Sequence, residues 1–219
     1  MELMGSEILT SILHAMSESL LIPVIIILLI FVIFALISVG GLIAEYTARK
    51  KFSVKEGETL IRSIYDLDNI NEMKDKINKS TIGETYKVAM IKVIDNNDFK
   101  SKTRRAFAEK IIEEEEIRMA KSVEKTDIVM RLGPTVGLMG TLIPMGPGLA
   151  ALGAGNIELL AQAIIIAFDT TVAGLSASAV AFVISKLRKR WYGEDLSNLE
   201  VLVQSTLEIL ENNENRNKN

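Results

Sequence analysis

The sequence predicts an all-α membrane protein: three transmembrane helices, with a helical cytoplasmic domain continuous with the second of them. Three observations carry that prediction. Residues 19–44, 132–157 and 159–185 hold a single charged side chain, Asp169, in a chain of 219 residues that is 24% charged. Uncharged apolar stretches of that length read as membrane spans, because about 20 helical residues cross roughly 30 Å of hydrocarbon. Lys and Arg are absent from residues 1–44 and from the turn between the second and third spans, whereas 19 of the 25 lie in 45–131 and the other six follow residue 185. Basic residues are retained on the cytoplasmic side, so the reading is N-terminus out, C-terminus in, in the cytoplasmic membrane, and three spans alternate correctly with it. Within 45–131, apolar residues recur at helical spacing.

Each segment follows from its own pattern. Residues 1–18 place Leu9, Ile12, Leu13 and Met16 at helical spacing, with Glu2, Glu7 and Glu18 elsewhere, which suits an amphipathic helix at the outer interface. No basic n-region precedes the first apolar stretch, so the first span is expected to be retained. That span, 19–44, is rich in Ile, Leu, Val and Phe and suits a lipid-facing helix, with Pro23 in its first turn where a missing N–H costs little. Residues 45–131 carry 19 basic and 17 acidic residues. A short helix plus turns is expected over 54–83, a helix from Glu84, a break at Asn96, Asn97 and Asp98, and then a long helix with Phe107, Ala108, Ile111, Ile112, Met119 and Val123 as its apolar stripe. No Pro or Gly intervenes before Gly133-Pro134, so this helix is expected to run straight into the second span. The acidic run Glu113–Glu116 reads as a solvated face paired with Lys110, Arg118 and Lys121, or as a vestibule gathering cations. Lys100, Lys102, Arg104 and Arg105 form a basic cluster available to lipid headgroups or a partner. After the third span, Lys186, Arg188, Lys189 and Arg190 anchor the helix, Trp191 and Tyr192 supply an aromatic belt, and a short amphipathic helix within 186–219 leads to a disordered Asn-rich end from Asn212.

Composition narrows the function. Zero cysteines exclude a disulfide framework and a thiolate site. A single histidine, His14, argues against a His-rich metal site or a Ser-His-Asp triad. The net charge of −3 offers no general attraction for nucleic acid, and neither a P-loop nor a GxGxxG is present. The chain does not read as an enzyme and calls for no cofactor.

The second and third spans differ chemically from the first. Gly133, Gly137, Thr141, Pro144, Gly148 and Ala151 recur every three or four residues and share one face of the second span, where small residues allow close backbone approach; Gly140 belongs to the same packing set. Pro144 and Pro147 remove two backbone donors and are expected to kink or end the helix near its outer side. In the third span Ala163, Ala167, Thr171, Gly174, Ser178, Ala181 and Ser185 form a stripe of small and hydroxyl side chains. Such a stripe serves a tight helix–helix contact or coordinates a small cation. Asp169 lies ten residues into its span, roughly 15 Å deep, where a charge costs at least ~2.5–3.5 kcal/mol. The spans contain no Lys or Arg to pair with it, so it is protonated, hydrated, cation-bound, held by a structural hydrogen bond, or paired with another subunit. At 100° per residue it stands about 160° from Thr171.

The runs GPTVGLMGTLIPM (133–145) and AFDTTVAGLSAS (167–178), set after one span and a helical polar region, resemble the MotA/TolQ/ExbB proton-channel family, and three spans resemble its TolQ/ExbB branch. The resemblance implies a homo-pentamer whose second and third spans surround a central pore. That pore would hold two copies of a single-span ExbD/TolR/MotB-like partner, with proton or sodium flow driving mechanical work. It also implies that Thr141 and Thr171 line the pore. The residue pattern itself adds Thr170, Asp169 and Ser178 to the expected ion pathway and gives Gly137, Gly140, Pro144 and Gly174 the packing of the helices. One departure stands out: Ile166 occupies the position where that branch commonly carries glutamate. Two other readings remain: a partner-independent ion channel or transporter with Asp169 as coupling site, and a non-transporting scaffold or sensor.

Overall fold

A computed structural model describes residues 2–49, 52–67 and 69–216, with side chains from Ile8 onward; the side chains of Glu2 and Glu7 lie outside the described residues. The chain is all helical: α1 (Glu2–Ser19), α2 (Leu21–Ala48), α3 (Val54–Tyr65), α4 (Ile70–Lys79), α5 (Glu84–Asp95), α6 (Ser101–Gly153) and α7 (Ile157–Arg216). Three stretches, Ile8–Ala48, Ser101–Gly153 and Ile157–Arg216, are long and apolar enough to cross a membrane. The described residues pack as two units. One takes the chain up to Thr47 with Val123–Leu187, the other Ala48–Ser122 with the chain from Arg188.

In the first unit, α1 leaves Leu9, Ile12, Leu13 and Met16 exposed, and α2 follows after Leu20. Pro23 is the third residue of α2, where no helical N–H is missed. Val24 and Leu28 of α2 pack with Ile143 and Val136 of α6. Further along, Phe31, Val32 and Ala35 pack with Val129 and Met130 of α6 and with Ala177, Val180 and Ala181 of α7.

Helix α6 runs unbroken through Pro134, Pro144 and Pro147, so of the two outcomes expected at Pro144 and Pro147, a kink or an end, the end does not occur. In hydrocarbon a broken helix would expose backbone groups that nothing satisfies, and loss of single N–H groups is the smaller cost. The helix stops at Gly153. Gly155, at φ 77°, takes the left-handed conformation that favours glycine, the Gly155 N–H bonds Leu152 O at 2.9 Å and the Asn156 N–H bonds Ala151 O at 2.8 Å. Asn156 also caps the next helix, its Oδ1 accepting from the Leu159 N–H at 3.1 Å. One asparagine thus closes α6 and opens α7, and residues 154–156 form the turn that the sequence had assigned to the end of the second span.

The second unit closes around Ile64, Met73, Ile77, Met90, Ile94, Leu199, Leu202 and Val203, all essentially inaccessible. Residues 54–83 hold two helices rather than one helix and turns, because Asn69 is the N-cap of α4, accepting from the Asn71 N–H at 2.9 Å. Phe107, placed in the buried stripe by spacing, instead stacks on Phe99 at the surface, centroids 5.3 Å apart. Glu113 pairs with Lys110 at 2.9 Å and Glu115 with Arg118 at 2.5 Å, the solvated-face arrangement, while Glu114 and Glu116 are exposed.

Three further expectations are corrected. α7 is one 60-residue helix, not a span followed by a separate short helix, because Leu199, Leu202, Val203 and Leu210 have a core to enter. The Asn-rich end is helical to Arg216, with buried Asn213 donating to Leu67 O at 2.8 Å. Trp191 does not stand in an exposed belt. It is 7% accessible, lies 5.3 Å beneath the Arg49 guanidinium, and its carbonyl accepts from Arg49 Nη2. Arg49 also pairs with Asp195 at 2.8 Å, which in turn accepts from the Tyr86 hydroxyl at 3.2 Å. Burial, then the neighbouring Asp195 carboxylate, pushes the Tyr86 phenol above its ordinary value. Within the basic cluster, Arg104 is 1% accessible and paired with Glu214 at 2.5 Å, and Arg105 reaches Glu211 at 3.3 Å. These two arginines join the start of α6 to the end of α7, leaving Lys100 and Lys102 exposed.

Candidate functional site

Between residues 123 and 187, α6 and α7 form an antiparallel pair whose contact is made of small residues. Gly174 stands against the backbone of the opposite helix: a Cβ there would lie 2.5 Å from Gly133 O and 2.9 Å from Gly137 Cα. A Cβ on Gly140 would lie 2.5 Å from Thr170 Cβ, and one on Gly148 would lie 2.8 Å from Ala163 Cβ. Pro144 is buried in the same row. Gly137, Gly140, Pro144 and Gly174 therefore lie in one seam, where the missing side chains let two backbones touch.

The hydroxyls divide into two groups. Ser178 is 9% accessible and its Oγ donates to Met130 O at 2.7 Å. Met130 is the residue whose helical donor would be the N–H of residue 134, and residue 134 is proline. A side chain of α7 thus supplies the hydrogen bond that Pro134 cannot make. Thr170 is 7% accessible, faces Gly140, and donates to Ile166 O and Ala167 O at 2.9 and 3.0 Å. Within the protomer both side chains fill the seam.

Thr141 and Thr171 lie at the edge of the seam, half-buried. Each spends its proton on its own helix, Thr141 Oγ1 donating to Leu138 O at 2.6 Å and Thr171 Oγ1 to Ala167 O at 2.9 Å. The oxygen lone pairs are left to accept a proton or to coordinate a cation. Helical phase puts both on the same side of the seam. Thr141 is about 140° to 160° around α6 from Val136 and Ile143, and Thr171 is about 180° around α7 from Val180. Val136, Ile143 and Val180 are among the residues that meet α2. Thr141 and Thr171 therefore flank the glycine seam on the side away from α2.

Asp169 belongs to neither set. It is exposed on α7, about 160° from Thr171 and about 20° from the direction of Val180. The N-terminal half of α2, Val24 and Leu28, packs on α6, which leaves this part of α7 uncovered. Ile166 is half-buried and its carbonyl receives the Thr170 hydroxyl.

Two contributions escaped the sequence reading. The Met130 carbonyl is a partner of Ser178, signalled by a proline four residues further on. Asp127, just before the uncharged stretch, accepts a very short hydrogen bond from the buried Ser185 hydroxyl, and only its position beside the last serine of the third-span stripe hinted at that. Among the described residues no group of three His, Asp or Glu side chains gathers to hold a metal.

No individual curated protein matches the chain significantly. The match to a family covers residues 69–201, which takes in the polar helices from α4 onward, the glycine seam and both flanking threonines. With three membrane-crossing helices, it is a multi-pass membrane protein, and it belongs to the MotA/TolQ/ExbB proton channel family.

Proposed function

We propose that five copies of this chain form a closed ring in the cytoplasmic membrane and conduct protons or sodium ions past Thr141 and Thr171. In this reading the ring encloses two copies of a single-span ExbD/TolR/MotB-like subunit, and ion flow turns one against the other to do mechanical work. The N-terminus faces outward, the unit containing α3–α5 is cytoplasmic, and three spans align the chain with the TolQ/ExbB branch. The observation that carries the reading is the pairing of the two threonines on the side of the seam opposite α2. A ring built with α2 at its periphery turns that side toward the axis, and closed cyclic symmetry repeats it around a lumen. The energy scale fits, since each charge crossing 100 mV releases about 2.3 kcal/mol.

The oxygens of Thr141 and Thr171 supply lone pairs to a passing proton or cation, with their own protons held by the helix backbone. Thr171→Val keeps the volume and removes the oxygen. The expected result is loss of partner-dependent ion flux in reconstituted vesicles, with a five-copy mass for the purified complex. Unchanged flux overturns the pathway, and a dimer or trimer mass overturns the ring.

A further inference from the structure

The unit formed by residues 48–122 and 188 onward holds a buried charge that its ion pair does not satisfy. Arg104 is 1% accessible, yet only one nitrogen of its guanidinium finds acceptors: Nη1 donates to Asn97 O at 3.0 Å and to Glu214 Oε1 at 2.5 Å. Nε and Nη2, which make up another edge of the guanidinium, are buried with no hydrogen-bond partner. Asn213 has the complementary defect. Its Nδ2 donates to Leu67 O at 2.8 Å, which fixes the orientation of the amide, and its Oδ1 is buried with no donor. Buried polar atoms left unpaired are costly, most of all on a charged group. Tying the start of α6 to the end of α7 does not require that cost, because Arg105 makes such a tie to Glu211 with a side chain that is 60% exposed.

Both residues line one cavity of about 240 Å³, set between α4, the turn before α6, the first turn of α6 and the end of α7. Met73, Arg104, Leu210 and Asn213 are its buried floor, and the half-buried Ile70, Asn97 and Glu214 are its rim. Pockets for drug-sized ligands hold about 300–1,000 Å³, so this one suits something smaller. The Nε and Nη2 edge of an arginine is the fork that takes both oxygens of a carboxylate. A simple anion, however, would stand beside the Glu214 carboxylate and offer nothing to Asn213 Oδ1. A simple cation would stand beside Arg104. One arginine and one glutamate cancel, so the cavity matches a neutral molecule that carries both charges.

We infer that this cavity binds a small apolar α-amino acid, its carboxylate on the Arg104 fork, its ammonium on Asn213 Oδ1 and Glu214, and its side chain against Ile70, Met73 and Leu210. The rim position of Glu214, whose side chain is 35% exposed, lets the ligand enter past a carboxylate that can turn aside. Once bound, the ligand supplies acceptors to the two open donors of Arg104 and a donor to the open acceptor of Asn213, and it bridges α4, α6 and α7. A ligand that binds only the folded unit stabilises it by mass action. The cavity shares no residue with the Thr141 and Thr171 pathway, so this site stands or falls apart from the ring reading.

The test is a calorimetric titration of the full-length protein in detergent with L-leucine and L-methionine. Two truncated probes accompany them: 4-methylpentanoate, which is leucine without its ammonium, and 3-methylbutylamine, which is leucine without its carboxylate. At least one of the two amino acids is expected to bind saturably and to raise the thermal midpoint, and each truncated probe is expected to bind about tenfold or more weakly than leucine. Replacing Arg104 risks the fold, so the informative variant is Glu214→Gln, which keeps the shape of the rim and removes its charge. In Glu214→Gln leucine is expected to weaken about tenfold, while 4-methylpentanoate binds more tightly than it does to wild type. A merely structural Arg104–Glu214 pair would change the thermal midpoint without reversing that order of ligands. The site is overturned if neither amino acid binds saturably. The zwitterion assignment is overturned if either truncated probe matches leucine on the wild type, or if Glu214→Gln keeps the wild-type order of affinities.

Discussion

From 123 to 187 the closest contacts run through Gly133, Gly137, Gly140 and Gly174, and Thr170, Thr171 and Ser178 spend their protons on backbone carbonyls. From 48 to 122 and from 188 onward the contacts are between large side chains, Ile64, Met73, Met90, Ile94 and Leu199, and charged side chains pair there, as Arg104 does with Glu214. The two regions differ because their solvents differ. In water, removing Ile and Leu from solvent drives packing at about 25 cal/mol per Å². Lipid is as apolar as leucine and gives no such return, so helices there associate by backbone proximity and by hydrogen bonds that would otherwise be unmade.

The sharpest way to break that comparison is a single methyl added in one region and several carbons removed in the other. Gly174→Ala puts a Cβ 2.5 Å from Gly133 O and 2.9 Å from Gly137 Cα, backbone atoms that cannot rotate aside. The expected cost is about 3 kcal/mol or more, seen as loss of the cooperative thermal transition in detergent. Gly146→Ala, with nothing within 4 Å, leaves the protomer's transition unchanged. In the other region the direction reverses: Leu199→Ala, at 0% accessibility, costs about 2–5 kcal/mol by leaving a cavity. If alanine at 174 is tolerated as well as at 146, the seam is not the basis of packing.

How much of this was legible in the sequence follows the same division. Three uncharged stretches announced the spans, and the absence of Gly or Pro before Gly133 announced that α6 enters the membrane as one helix. The small-residue rows announced a close contact in the second span, and a close contact or a cation path in the third. What the rows could not say is which of two adjacent residues faces inward. Thr170 and Thr171 differ by 100°, and only the position of Gly140 opposite Thr170 assigns one to the seam and the other to its edge. In the aqueous region spacing was a weaker guide. Phe107 fits the apolar stripe yet lies outside, and Trp191 fits an interfacial belt yet lies beneath Arg49. Both outcomes depend on partners more than 100 residues away or on a surface neighbour, which no local pattern encodes. The continuation of α7 past Gly193 has the same origin, because glycine weakens a helix by about 1 kcal/mol and burial of Leu199 and Leu202 exceeds that.

A smaller effect separates hydrogen bonding in the two regions. Ser178→Ala leaves Met130 O without either donor and is expected to cost about 1–3 kcal/mol. Pro134→Ala returns the helical N–H to that carbonyl, so Ser178→Ala in that background is expected to cost much less. The coupling energy of the double-mutant cycle, from denaturant unfolding in mixed micelles, measures the exchange directly. Additive costs would mean that the serine packs but does not substitute for the missing N–H.

The smallest expected effect lies in the aqueous region and depends on pH. The Ser101 hydroxyl donates to Glu211 at 2.6 Å and the Arg105 guanidinium stands 3.3 Å away. The Ser101 hydrogen bond first, then the Arg105 charge, hold the Glu211 carboxyl below its ordinary value. A carboxylate whose ionised form is favoured by folding adds stability above the pKa of the unfolded chain and loses it as pH falls through the lower, folded value. Ser101→Ala should therefore lower stability at neutral pH by less than ~1 kcal/mol, and the difference from wild type should vanish in acid, where the carboxyl is protonated in both states. Thermal melts of the two proteins across pH 3 to 7 make the measurement. A gap that stays constant down to pH 3 would assign the Ser101 contribution to capping of the first turn of α6 instead of to its bond with Glu211, since a cap to backbone N–H groups carries no titrating partner.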